Sequence, residues 1–232
     1  MPDYATIYRE YADEYERLVA REDYQLHLPR ALNQVRSFDH ADIVELGAGT
    51  GRVTMIAAAQ ARSVIACDRE PAMLKVAAAK FRAAHYDHVR VALGDNRHLP
   101  LADGMADIAI SGWSISHAQH WYLDTWPHFV DRVIAEMRRV LRPAGTLIIV
   151  ETLGTFQTEP HPPHERLAAY YRYLEEQYGF RSMAIRTDYR FETLTEAQSL
   201  LGFFFGDEAV GEVERNDWII TPECTGIWWR NR

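Results

Sequence analysis

Gly47-Ala48-Gly49-Thr50-Gly51 follows a short apolar run, and Glu45 stands two positions before the first glycine. Alternating glycines let a chain turn sharply and let a ligand approach the backbone. A helix starting there offers unpaired N–H groups. Two ligand classes compete for such a turn. A dinucleotide fingerprint, G-x-G-x-x-G, needs a third glycine where this chain has Arg52. The Glu45 carboxylate would repel a pyrophosphate but suits an ammonium group, which favours a nucleoside carrying an amino acid. Asp68 ends a second apolar run, where an acid can accept both hydroxyls of a ribose. Asp95 ends a third and can accept from an adenine amino group, with the Asn96 backbone beside it. Either aspartate alone reads as readily as a helix cap or turn residue; it is their joint placement behind the glycine turn that carries the argument. A fourth run ends in Ser111-Gly112-Trp113, followed by His117 and His120. These histidines are the candidates for a general base, should the reaction need one. Their H-x-x-H spacing could suggest a metal, but no clear third ligand accompanies it, so no metal is expected.

These residues need elements to hold them. Apolar runs at 42–46, 63–67, 89–93, 106–110 and 146–150 alternate with helical patterns, which is the mark of a parallel sheet covered on both faces. The predicted fold is α/β and doubly wound, and in such sheets ligands sit outside the carboxyl ends of the strands. Tyr4, Tyr8, Tyr11, Tyr15 and Leu18 fall at helical spacing and predict one amphipathic helix over 5–20. Leu167, Tyr171, Leu174 and Tyr178 mark a late helix. Two short helices are expected over 195–206 and 207–215, with strands at 180–191 and 224–230. Phe203, Phe204 and Phe205 cannot all face inward on one helix, so one of them covers a pocket or meets a second subunit of a homodimer.

Four segments together resemble the class I S-adenosylmethionine-dependent methyltransferases, within them the methyltransferase type 11 group. They are VELGAGTGRVT (44–54), IACDREPAML (65–74), ALGDNRHLPLADGMADIAISGW (92–113) and RVLRPAGTLIIVE (139–151). The resemblance implies a mostly parallel, seven-stranded, Rossmann-like sheet with its last strand antiparallel, in one domain. Residues 1–30 would form a helical cap, 40–151 the cofactor-binding core, and 152–232 the late helices, the insertion and the last strands. It implies S-adenosyl-L-methionine as cofactor. Gly47, Ala48, Gly49 and Gly51 would line its methionine and ribose, with Glu45 near the ammonium. Asp68 would take the ribose, Arg69 and Met73 would flank the adenine, and Asp95 and Asn96 would meet its edge. Ser111, Gly112 and Trp113 would border the methyl group, and Tyr15 of the cap would lie over the cofactor. The motif acid is Glu45 where the family more often has aspartate, which preserves the chemistry. Residues 152–221 match no substrate-specific subgroup, so the acceptor stays open.

The expected activity is methyl transfer to a small-molecule acceptor; the alternatives are an RNA or protein methyltransferase, or a protein that binds the cofactor without transferring its methyl. The formal charge is −8, and polyanion-binding surfaces usually carry a basic excess, so nucleic acid is not expected. Arg138, Arg139 and Arg142 form a modest basic cluster that reads as a solvated helix face. No apolar run approaches the roughly 20 residues of a membrane span. The acidic, tyrosine-rich start is unlike a signal peptide, so a cytoplasmic protein is expected. Cys67 and Cys224 read as buried thiols.

Overall fold

The computed structural model of the chain describes residues 3–232; the first two residues of the expected cap lie outside them. Three helices come first, α1 (Tyr4–Glu10), α2 (Ala12–Val19) and α3 (His27–Val35). The alternating core follows: β1 (Asp42–Leu46), α4 (Arg52–Ala58), β2 (Ser63–Asp68), α5 (Pro71–Ala83), β3 (Val89–Leu93) and β4 (Ala106–Gly112). A 3₁₀ turn (Ile115–His117) leads to α6 (Ala118–Trp121), α7 (Trp126–Val140) and β5 (Leu141–Thr155). The last third holds α8 (Glu165–Glu176), β6 (Arg181–Arg186), β7 (Tyr189–Arg190), α9 (Leu194–Phe205), α10 (Asp207–Asn216), β8 (Ile220–Thr221) and β9 (Glu223–Asn231).

Seven strands form one sheet in the order β3-β2-β1-β4-β5-β9-β6. The pairings among β3, β2, β1, β4 and β5 are parallel, and β9 runs antiparallel between β5 and β6. Side-chain alternation divides the sheet cleanly. Val44, Leu46, Ala109, Leu147, Ile149 and Trp228 pack under α7 and α8. Ile43, Ile108, Ile110, Ile148, Val150 and Ile227 pack under α3 and α4. Such period-two partition, buried on both faces, explains why the central strands read as unbroken apolar runs. The order reverses between β1 and β4, and that switch point opens the crevice where ligands bind in this architecture.

Four expectations change. The strand expected over 180–191 is two: β6 at the edge of the large sheet, and β7, which pairs with β8 in a separate two-stranded sheet. The helix expected over 5–20 is broken at Tyr11, whose φ of −127° and ψ of 37° leave the helical region. The break turns Tyr4, Tyr8 and Tyr15 inward while Tyr11 stays 37% exposed, against Phe203. The fifth strand is far longer than 146–150; its extension past Val150 carries Glu151 and Thr152 beside the start of β9. The arginine cluster is not simply solvated: Arg139 pairs with Glu136 and Asp103, and Arg142 with Asp42 and Asp107.

Candidate active site

A cavity of about 580 Å³ opens over the β1–β4 switch point. Its floor is the glycine turn. Gly47 has φ +70°, and a Cβ there would stand 1.9 Å from Ser114 Oγ, so the loop beyond β4 closes directly on the turn. Gly51 has φ +83° and abuts the Phe81 ring, where a Cβ would lie 2.6 Å from the ring edge. Gly47, Ala48 and Gly49 line the cavity; Gly51 sits behind it and fixes the entry into α4.

Asp68 is the clamp of this floor. Its Oδ2 accepts from Gly49 N at 2.8 Å and its Oδ1 from Glu70 N at 2.8 Å, so one carboxylate joins the ends of β1 and β2. Asp68 lines the cavity, and each oxygen can accept a further hydrogen bond. Burial raises the Asp68 pKa despite those bonds. Glu45 is 2% exposed, lines the same cavity, and accepts from Thr54 Oγ1 through Oε2. Burial, with the Asp68 charge adding to it, pushes its pKa up to about 8 against the pull of Thr54.

On the far side of the floor, Met73 and Asn96 line the cavity and Arg69 lies 4.3 Å over the Trp121 ring. Asn96 Nδ2 donates to Ser114 Oγ at 3.0 Å. Asp95 also reaches the cavity, but both its oxygens accept from Arg97, at 2.9 and 2.6 Å. That pair was not anticipated from the sequence. Gly112 and Trp113 border the cavity. Ser111 does not reach it: fully buried, its hydroxyl donates to Leu46 O and ties β4 to β1.

The roof is aromatic. Tyr8 packs edge-on against Tyr15 at 5.4 Å, and Phe204 of α9 meets Tyr4 and Tyr15 at 5.3 and 5.6 Å. His117 and His120 both line the cavity. Tyr8 Oη and His117 Nε2 share a hydrogen bond of 2.9 Å, and His117 stacks on Trp121. Burial, then the neighbouring His120, holds the His117 pKa down at about 4, so its ring is neutral at pH 7 and a weak proton acceptor.

Residues 44–149 match the family profile described as a methyltransferase domain. That stretch is a methyltransferase domain of the class I S-adenosylmethionine-dependent kind. A demethylmenaquinone methyltransferase of Thermobifida fusca is 31% identical over 170 residues, 71% of this chain and 66% of that protein. The chain spans between about half and two thirds of the length of the first curated relatives it matches. Among solved structures, the [4+2]-cyclase SpnF superposes with a TM-score of 0.60 at 18% identity, over 97% of this chain and 94% of that one. An S-adenosylmethionine-dependent methyltransferase from Aquifex aeolicus superposes with a TM-score of 0.57 at 16% identity, over 94% of this chain and 97% of that one. At those identities the two structures share the fold.

The family's cofactor is S-adenosylmethionine, and the floor of this cavity fits it. The Gly47 turn leaves no room for a side chain, buried carboxylates face the cavity from β1 and β2, and apolar Met73 lies beside them. Beyond the floor the cavity continues to a group absent from the expected site. Arg52 lies 4.2 Å over the Trp113 ring and pairs with Glu22 at 2.5 Å, and Glu223 accepts from Thr152 Oγ1 at 2.9 Å. Glu22, Arg52, Thr152 and Glu223 all line the cavity. The sequence held one signal for them, an arginine directly behind the glycine turn; Glu22 and Glu223 carried none.

Proposed function

We propose that this protein transfers a methyl group from S-adenosylmethionine to a small-molecule acceptor. The observation that carries the reading is the continuity of one cavity, with a glycine-and-carboxylate floor at one end and an aromatic chamber at the other. Bound S-adenosylmethionine supplies an electrophilic methyl group on a sulfonium sulfur. In this reading Gly47, Ala48 and Gly49 lie along its methionine and ribose, Asp68 accepts from the ribose hydroxyls, and Glu45 faces the ammonium. Gly51 shapes the turn without touching the ligand. Arg69 and Met73 flank the adenine, and Asn96, with Asp95 held by Arg97, meets its edge. Gly112, Trp113 and Tyr15 enclose the methyl side.

With positions so arranged, the protein's work is to align the acceptor and keep water out. Alignment of reactants can supply roughly 7–11 kcal/mol in favourable systems. The roof of Tyr4, Tyr8, Tyr15 and Phe204 serves the exclusion. His117, neutral and bonded to Tyr8, positions that roof; His120 is the candidate proton acceptor, where the acceptor has a proton to lose. The relatives named for demethylmenaquinone, and the formal charge of −8, both weigh towards a small molecule over RNA.

The test is calorimetry with S-adenosylhomocysteine on ligand-free protein, followed by mass-spectrometric detection of S-adenosylhomocysteine released from S-adenosylmethionine across a panel of small acceptors. Stoichiometric binding and acceptor-dependent release are expected. Absence of binding by folded protein overturns the cofactor reading. A cyclase shares this fold, so binding without release on any acceptor would favour a protein that holds the cofactor without spending its methyl.

A further inference from the structure

Beyond the glycine floor the cavity is lined by charged groups that methyl-donor binding leaves unexplained. Three of their polar atoms are buried without a hydrogen-bond partner: Glu22 Oε1, Arg52 Nη2 and Glu223 Oε2. Glu223 is 2% exposed and the Glu22 side chain 4%, yet both border the cavity. A buried polar atom without a partner costs about 1–3 kcal/mol, more for a charged group. Structural polar groups in a core are normally satisfied, and the other oxygen of each carboxylate is: Glu22 Oε2 by Arg52, and Glu223 Oε1 by Thr152. The remaining atoms have no partner of good geometry, although the Tyr189 hydroxyl lies near Glu22 and the Thr155 hydroxyl near Glu223, and they are available to a group in the cavity.

We propose that Glu22, Arg52 and Glu223 form the acceptor subsite, and that it takes an aromatic compound bearing a free hydroxyl, whose O–H donates to Glu223 and whose oxygen accepts from Arg52. The inference rests on the methyltransferase reading above and adds the chemical class of its acceptor.

The donor and acceptor requirements select the group. Two carboxylates repel a carboxylate or phosphate on the ligand. An ammonium could donate to them but has no lone pair for Arg52 Nη2. A hydroxyl does both. The walls select the body that carries it: Trp113 lies against Arg52 and Tyr189 beside Glu22, and Phe156 and Phe205 line the same cavity, aromatic surface that favours a flat apolar ligand. The charged groups are held rigidly. Arg52 is pinned between the Trp113 face and Glu22, and the Glu223 backbone N–H donates to Asp188 Oδ1 at 3.0 Å. Burial and the Glu22 charge push the Glu223 pKa up to about 8, while Thr155, Thr152 and Arg52 pull it down. Tyr171, Tyr189 and Cys224 also feel its charge. A carboxylate poised there is matched to exchanging a proton with a hydroxyl near neutral pH.

The test uses 2-naphthol and 2-methoxynaphthalene as probes on full-length protein saturated with S-adenosylhomocysteine. At about pH 8.5, where the Glu223 carboxyl is largely ionised, calorimetry should give 2-naphthol at least a tenfold tighter Kd, since a hydrogen bond to a charged group is the difference between them. In Glu223→Leu the preference should shrink to within twofold, while 2-methoxynaphthalene keeps its affinity and so reports that the cavity is still formed. Arg52→Gln should weaken 2-naphthol at least fivefold. Equal affinity of the two probes in the wild type, absence of 2-naphthol binding, or a preference that survives Glu223→Leu overturns the proposal. S-adenosylhomocysteine binding is measured first, so failure of the cofactor reading is seen separately from failure of the subsite.

Discussion

The two ends of the cavity are built by different means. At the cofactor end, the groups facing the ligand come from successive strand termini, and their placement is enforced by backbone: Gly47 by its positive φ, Asp68 by two main-chain N–H groups. At the proposed acceptor end, Glu22, Arg52 and Glu223 come from three segments and are held by side chains, Glu22 and Arg52 by each other and Glu223 by Thr152. A backbone-built site tolerates little change in any one residue. A side-chain-built site can be rewritten residue by residue without disturbing the sheet, as suits one family serving many acceptors.

The strongest way to break that contrast is Asp68→Ala. It strands two partly buried N–H groups, on Gly49 and Glu70, and removes the acceptor proposed for the ribose. S-adenosylhomocysteine affinity should fall at least about a hundredfold by calorimetry, since each lost charged hydrogen bond is worth roughly 1.5–3 kcal/mol. Glu223→Leu, at the other end, should change the same affinity less than threefold. Comparable losses from both would mean that the ends are not built independently.

How much of this was legible in the sequence follows the same division. Glu45, Gly47, Asp68 and Asp95 lie within one stretch and each ends a predicted strand, so local pattern sufficed to bring them together. Nothing local announces Glu223. It reaches the cavity because β9 pairs antiparallel with β5 through a register shift between Thr152 and Thr155, and Glu22 because its segment bridges to Tyr189. Those are long-range pairings that periodicity does not encode. Tyr11 failed in another way: its spacing continues the helical pattern of Tyr4, Tyr8 and Tyr15, and only the backbone angles reveal the break. Ser111 failed because strand residues alternate, and position 111 faces the core while 112 faces the cavity.

A smaller effect separates two contributions at a glycine. Gly47 and Gly179 have nearly the same φ, +70° and +67°, but a Cβ at Gly179 meets nothing within 4 Å. Alanine at either site takes on the left-handed penalty, about 1–2 kcal/mol. At Gly47 the collision with Ser114 adds to it. Gly47→Ala should therefore lower Tm more than Gly179→Ala, at roughly 2–4 °C for each kcal/mol in a chain of this size. Only Gly47→Ala should weaken S-adenosylhomocysteine, by about tenfold. If both variants bind as the wild type does, the glycine turn is not the cofactor floor.

The gentlest test compares one glutamate from each end. Burial raises both Glu45 and Glu223 to about 8 in the folded protein, and Glu151 to about 7, against 4.5 for an ordinary glutamate. The folded state thus holds these protons to higher pH than the unfolded chain does. The stability they contribute is complete below about pH 4.5 and is lost as pH rises to about 8. His117 works oppositely: its folded pKa near 4 gives stability that grows up to about 6.5 and is constant above it, leaving the window from 6.5 to 8.5 to the glutamates. In that window the Tm of ligand-free protein should fall by a few degrees. Glu45→Gln and Glu223→Gln should each flatten the slope, because an amide has no proton to lose. Saturation with S-adenosylhomocysteine should flatten the part due to Glu45, by bringing an ammonium to its carboxylate, and leave the part due to Glu223 in place. A slope that vanishes entirely with that ligand would mean both glutamates answer to the cofactor, and the division of the cavity into two ends would have to be redrawn.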